Sequence, residues 1–237
     1  ILDEQMNAAL YLNHPYGVPV IGWYHEIAKL SRNDALTFYK RYYAPNNATL
    51  VVSGDVSEEE VKTLAEATYG KIPSNPEVGK ARVRPTDPPQ LVPRRLELKD
   101  PRAGNFSLHR YYLAPSYVTA KPGEAEALDL MMKIAGSGAT SRLYKKLVVE
   151  TKLASSASGD FGGYGLDGGT ISLYAVAADG VPLEKVEAVM DEVFADVAKN
   201  GVTDKELERA KNNYLAEYVY ESDNQATLAR RYGWGVS

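Results

Sequence analysis

Three histidines, His14, His25 and His109, are the only imidazoles in the chain, and there is no cysteine. Structural and catalytic zinc sites draw on His, Cys and carboxylate ligands at short, fixed spacings. No two of these histidines have such a spacing. The nearest approach is "HEIAK", His25 to Lys29, where an HExxH helix would need a second histidine at Lys29. A lysine cannot replace it at a neutral zinc site, so His25 and Glu26 are read as ordinary loop residues. His14, beside Pro15, is read as a helix-end residue that complements the dipole and bonds terminal carbonyls. His109 alternates with Phe106, Leu108 and Tyr111 as a solvated or half-buried sheet residue. The absence of cysteine also excludes disulfides, thiolate ligands and a cysteine nucleophile.

Two further groupings suit binding rather than bond-making. Gly136 and Gly138, in "GSGATSRLY", either let a peptide backbone come close or form a helix C-cap followed by an N-cap at Ser141. Tyrosine is abundant, 17 against four phenylalanines, and tyrosines line peptide grooves as readily as they fill the boundaries of sheets and helices. Within this set "SLHRYYL" is the best candidate for an exposed sheet edge, where an extended peptide adds as a strand.

The elements that must position these residues follow from periodicity. Leu2, Met6, Ala9 and Leu10 recur at helical spacing until Pro15. Ser31 with Asp34 starts a helix over 32–43 with Leu36, Tyr39 and Tyr43 on its buried face. Pro45 stops it and pushes Ala44 out of the α region, and Thr49 to Ser53 is a β-favouring run. Ser57 and Glu60 have the spacing of a capping box for the next helix, which Gly70 is placed to end. Residues 71–93 hold six prolines in 23 positions and read as an extended, semi-rigid linker. Beyond it, Leu96 and Leu98, then Phe106 and Leu108, alternate as strands. A helix carries Leu128, Met131, Met132 and Ala135, another follows from Ser141, and a strand pair spans "ASSASGDFGGYGLDGG" and "TISLYAVAA". The clearest helix runs from Pro182 to Lys199, with Val186, Val189, Met190, Val193 and Val197 in one stripe. Thr203 and Glu206 open the last, to about Glu221. The passage from strand through an Asp-containing turn into a helix occurs twice, at 48–66 and 171–189, a weak internal echo.

At 237 residues and 44% hydrophobic content the chain is long enough for one large domain or two small ones. A net charge of −4 leaves no basic field for a nucleic-acid backbone. No apolar run approaches the ~20 residues that span a bilayer. The compartment stays open between periplasm and cytoplasm for a bacterial protein.

Four stretches in order, "HPYGVPVIGW", "YKRYYAPNNATLVVSGDV", "GSGATSRLYKKLVVE" and "ELERAKNNYL", resemble the pitrilysin or insulinase-type zinc metallopeptidases. That group includes insulin-degrading enzyme and mitochondrial processing peptidase. The resemblance covers nearly the whole chain. It implies an α+β fold of two similar bodies, each an antiparallel sheet with helices packed on one face, enclosing a peptide chamber together with a partner half. Residues 1–70 would be the C-terminal part of the first body, 71–93 the linker, and 94–237 the second body, truncated at its C-terminus and lacking one strand.

Family members hold zinc on an inverted HxxEH helix. This sequence has no HxxEH, and "ILDEQMNAALYL" resembles the segment just after the third ligand, so the resemblance places the catalytic apparatus upstream of Ile1. The expectation is a fragment without catalytic residues or metal ligands of its own, inactive alone, from a protein that uses zinc when complete. Its implied partners are a peptide substrate and a second similar subunit, as homodimer or heterodimer. Gly136 and Gly138 would meet the substrate, because a glycine-rich loop near this place binds precursors in processing peptidases. Tyr174 would do so because members use an Arg and Tyr pair on or after this strand; here the strand has no Arg. The alternative is a non-catalytic partner or scaffold subunit of the same fold.

Overall fold

A computed structural model describes residues 1–79 and 83–236; residues 80–82 of the proline-rich segment and the final serine lie outside that description. The chain divides into two compact units, one made of Asp3–Pro93 with Ala216–Ser237, the other of Arg94–Leu215.

The second unit contains the sheet. Strands β1 (Ser107–Ala114), β2 (Ala154–Gly162) and β3 (Gly169–Ala177) are antiparallel in the order β1-β3-β2. Register follows the alternation of side chains. Leu108 pairs with Ala175, Ala157 also pairs with Ala175, and Phe161 pairs with Ile171, so small and apolar residues fall on one face. Helix α5 (Glu124–Ala135), helix α6 (Arg142–Tyr144) with the π-turn at Lys145–Glu150, and helix α7 (Leu183–Asn200) cover that face. Met132, Leu143, Leu147, Val186 and Met190 are fully buried against Leu173, Ala175 and Ala177. Of the α7 stripe, Val186, Met190, Val193 and Val197 are buried and Val189 is partly so. This is an α+β fold with its helices on one side of an antiparallel sheet.

Two charged clamps seal the helix side. Arg110 of β1 donates to Glu187 at 2.7 Å and to Asp191, both on α7, and Arg95 also reaches Glu187 at 2.9 Å. Arg142 donates to Glu206 at 2.7 Å and to Asp196 at 2.9 Å. Glu206 opens helix α8 (Asp204–Ser222), where it also accepts from Thr203 N–H and Oγ1 at 2.9 Å, the reciprocal capping expected there.

The first unit is built from helices. These are α1 (Leu2–Leu10), the single turn α2 (Tyr24–Ile27), α3 (Arg32–Tyr42), α4 (Glu58–Ala67) and the terminal α9 (Gln225–Val236). Ser31–Asp34 and Ser57–Glu60 form complete capping boxes. Ala44, before Pro45, is extended at φ −142°, ψ 151°, as the proline requires. The proline-rich segment is tied down by side chains. The Asn46 side-chain amide donates to Asn75 O and accepts from Asn75 N–H, both at 2.9 Å, and Asp87 accepts from the Leu12 and Asn13 N–H groups at 2.7 Å.

Several local expectations fail here. Thr49–Ser53 forms no strand among the described residues, and Leu50 and Val52 are exposed. A β-favouring run becomes a strand only where a neighbour supplies the ladder, and no described residue does. Leu96 and Leu98 likewise stay outside the sheet, and Tyr39 and Tyr43 are exposed, their rings packed on each other at a tilt of 32°. Gly70 does not cap α4; Thr68 ends it, its hydroxyl donating to Leu64 O at 2.6 Å. The internal echo therefore holds in the second copy, where β3 turns through Asp179 and Gly180 into α7, and lacks its strand in the first.

Candidate functional site

The face of the sheet turned away from the helices is formed by the alternate residues. One cross-strand row is His109, Tyr174 and Ser158; the next is Tyr111, Ser172 and Asp160. His109 meets Tyr174 edge to face, with ring centroids 4.7 Å apart and an interplanar angle of 64°. Directly opposed side chains in an antiparallel pair lie ~5 Å apart and act as a unit. The result is a polar, partly aromatic wall rich in hydroxyls, with one carboxylate and one imidazole. Such a surface offers donors, acceptors and ring faces to an extended chain laid across it, and contains no nucleophile activated by a base.

Tyr174 thus stands at the centre of the open face. Gly136 lies on the covered face, buried at the end of α5. Its N–H donates to Met132 O at 2.8 Å, and its carbonyl accepts from Gly159 N–H at 2.9 Å. Gly138 is exposed, with φ at +76°, a conformation that favours glycine. Its carbonyl accepts from Ser141 N–H at 3.1 Å, and Ser141 Oγ caps α6 by accepting from Tyr144 N–H at 3.2 Å.

The histidines are dispersed in role. His14 Nδ1 accepts from Tyr16 N–H at 3.1 Å, and its ring packs on Tyr16 at 4.3 Å. His25 lies exposed on the turn α2. Among the described residues no group of three or more His, Cys, Asp and Glu side chains is arranged to hold a metal ion. The described residues therefore offer no seat for the zinc that the resemblance assigns to the complete protein.

A second cluster, which sequence reasoning missed, lies at the end of the sheet where β1 and the β2–β3 hairpin turn meet α5 and α8. Tyr117 OH donates to Asp129 Oδ2 at 2.7 Å and Tyr214 OH to Asp129 Oδ1 at 2.6 Å. Burial, and then the Asp129 carboxylate, push both phenols above the ordinary tyrosine range. Tyr164 stacks on Tyr117 at 5.1 Å. Tyr117 N–H donates to Gly163 O at 2.9 Å, which joins the loop after β1 to the hairpin. Asp129 and Tyr214 are 85 positions apart, and no local signal connects them.

The chain resembles proteins of known class over almost all of its length. It is 26% identical to the zinc protease PqqE of Helicobacter pylori, over 92% of this chain and 48% of that protein. It is 23% identical to a probable mitochondrial-processing peptidase subunit beta of Schizosaccharomyces pombe, over 98% and 51%. Among solved structures, a protease from Helicobacter pylori superposes with a TM-score of 0.83 at 21% identity, over 98% of this chain and 60% of the other. A peptidase M16 inactive domain from Pseudomonas fluorescens superposes with a TM-score of 0.74 at 21% identity, over 98% and 53%. The chain spans about half the length of the curated relatives it matches. No helix among the described residues is long and apolar enough to cross a membrane. Residues 29–214 match the peptidase M16 inactive domain, and the chain belongs to that family.

Proposed function

We propose that this chain is the non-catalytic portion of a zinc metalloendopeptidase, and that the open face of its sheet forms one wall of a chamber for peptides or unfolded segments. The observation that carries this reading is the uncovered wall of His109, Tyr111, Ser158, Asp160, Ser172 and Tyr174 in a member of a peptidase family that offers no metal site of its own among the described residues. The zinc, its ligands and the water-activating carboxylate belong, on this reading, to other parts of the complete protein or to a second similar subunit. The name of the yeast relative, a processing-peptidase subunit, supports such pairing. Tyr174 contributes a ring face and a hydroxyl to the bound peptide, and the exposed Gly138 is the glycine of its turn open to a peptide backbone.

The test is peptide hydrolysis by the complete protein with zinc and after chelation. Chelation is expected to abolish cleavage. Tyr174→Ala is expected to raise KM several-fold with a smaller change in kcat, since a wall residue contributes mainly uniform binding, and Tyr174→Phe should recover part of the loss. A complete protein that binds peptides but never cleaves them would replace this reading with that of a non-catalytic partner or scaffold.

A further inference from the structure

The tyrosine cluster at the other surface of the second unit has the composition of a cation receptor. Tyr117, Tyr164, Tyr214, Asp129, Glu126 and Leu215 line an open groove of about 510 Å3, with Leu130 and Lys211 completing it. Asp129 is fixed by two phenol hydroxyls, one on each oxygen. An ionised carboxylate offers about four lone-pair sites, so this one keeps acceptor capacity after both bonds are made. Glu126, one turn earlier on α5, presents a second carboxylate to the same groove and forms no ion pair among the described residues. Two carboxylates against one lysine leave the lining acidic.

The aromatic part points the same way. Tyr164 is 80% exposed, yet it is held on the hairpin turn in a stack with Tyr117, which presents its outer face to solvent. The molecule already uses one ring of the cluster in this manner, because Lys133 Nζ lies 4.9 Å from the centroid of Tyr214. Tyrosine faces attract ammonium and guanidinium groups through the ring quadrupole. Leucines and ring faces beside two carboxylates match a side chain with an aliphatic stem and a charged tip.

We propose that this groove receives a lysine or arginine side chain of a bound peptide, its stem along Leu130, Leu215 and the tyrosine rings and its charged head at Asp129 and Glu126. That the cation arrives on a peptide rests on the peptidase-family reading. The recognition itself rests on the groove.

Binding is measured by fluorescence anisotropy on the full chain, without any cleavage step. The probe is a labelled alanine-based hexapeptide with one central arginine, compared with the same peptide carrying norleucine. The arginine peptide is expected to bind roughly tenfold tighter or more, the range of a partly desolvated cation on rings and carboxylate. Tyr164→Ala and Asp129→Asn should each erase most of that preference, whereas Tyr24→Ala, at an exposed ring that does not line the groove, should preserve it. Tyr164 is exposed on a turn, so its replacement leaves the fold intact and keeps the test decisive. Equal binding of the two peptides, no binding of either, or an arginine preference unchanged in both groove variants would overturn the proposal. Equal binding that is lost in Tyr174→Ala would overturn it while leaving the chamber-wall reading standing.

Discussion

A methyl group added at Gly136 would stand 2.9 Å from Gly159 Cα and 2.7 Å from Met132 Cε, and one added at Gly159 would meet Leu173 Cδ2 and Met132 Cε at 2.8 Å. These two glycines let the end of α5 seat directly on β2, with the Gly159 N–H to Gly136 O bond between them. Side-chain ends can swing aside, but backbone atoms move only by shifting an element. Gly136→Ala is therefore expected to lower stability by about 1–3 kcal/mol, the usual cost of overpacking a filled core. It should appear as a lower urea midpoint at unchanged slope. Gly138 has open space around its missing Cβ, and only its backbone angle resists substitution. A Gly138→Ala loss equal to or larger than that of Gly136→Ala would show that the close approach to Gly159 is not what sets the requirement.

At the scale of elements, the start of α8 is fixed twice by one carboxylate. Glu206 closes the capping box with Thr203 and takes two of the three guanidinium nitrogens of Arg142, Nε and Nη2, across 64 positions, at 2.8 and 2.7 Å. Arg142, then Thr203, hold its pKa down at about 2, against the ordinary glutamate value of 4.5. A carboxylate depressed by folding stabilises fully above its unfolded value, and the contribution is lost as pH falls through its folded value. The loss from this group should therefore occur between pH 4.5 and about 2, and Glu206→Gln, which still caps, should flatten stability across that window. Arg142→Ala should cost about 1–2 kcal/mol at neutral pH, the low end for charge-assisted bonds because the two side chains are still 21% and 19% exposed. A Glu206→Gln variant with an unaltered acid profile would assign the acid loss to other carboxylates. The cap was legible in the sequence, as were those at Ser31 and Ser57, because Thr203 and Glu206 sit three apart and capping is local chemistry. Arg142 was not, since nothing local ties it to a helix 60 residues on. The same division runs through the site: Tyr174 could be placed on a strand by alternation and on a face only by register, and the Tyr117–Asp129–Tyr214 cluster existed only once α5 and α8 were side by side. Thr49–Ser53 marks the opposite case, in which propensity was read correctly and no described neighbour completes the ladder.

For the whole molecule, burial is distributed unequally between the two units. The second carries the continuous core of Met132, Leu143, Leu147, Leu173, Val186 and Met190. In the first, among the described residues, Ala44 is the one buried hydrophobic side chain at 8% exposure, while Val20, Tyr24 and Leu91 each exceed 85%. Its order rests on capping boxes, the Asn46–Asn75 exchange and Asp87, bonds whose net worth is ~1 kcal/mol each against an ordering entropy of ~1–2 kcal/mol per residue. Side-chain bonds of that size cannot hold such a unit without buried apolar area. Residues 94–222 expressed alone are therefore expected to unfold in one cooperative urea transition, and residues 1–93 alone to show none. In the full chain, limited proteolysis should nick first within 71–93, the separator proposed between the folding bodies, since exposed proline-rich chain with little buried backbone is where cleavage concentrates. Amide exchange gives the matching readout: protection should be highest in β3 and α7 and low through α2 and α3. A cooperative transition in residues 1–93, or early cuts inside α7, would show that the stability of the chain does not reside in the sheet and its helices.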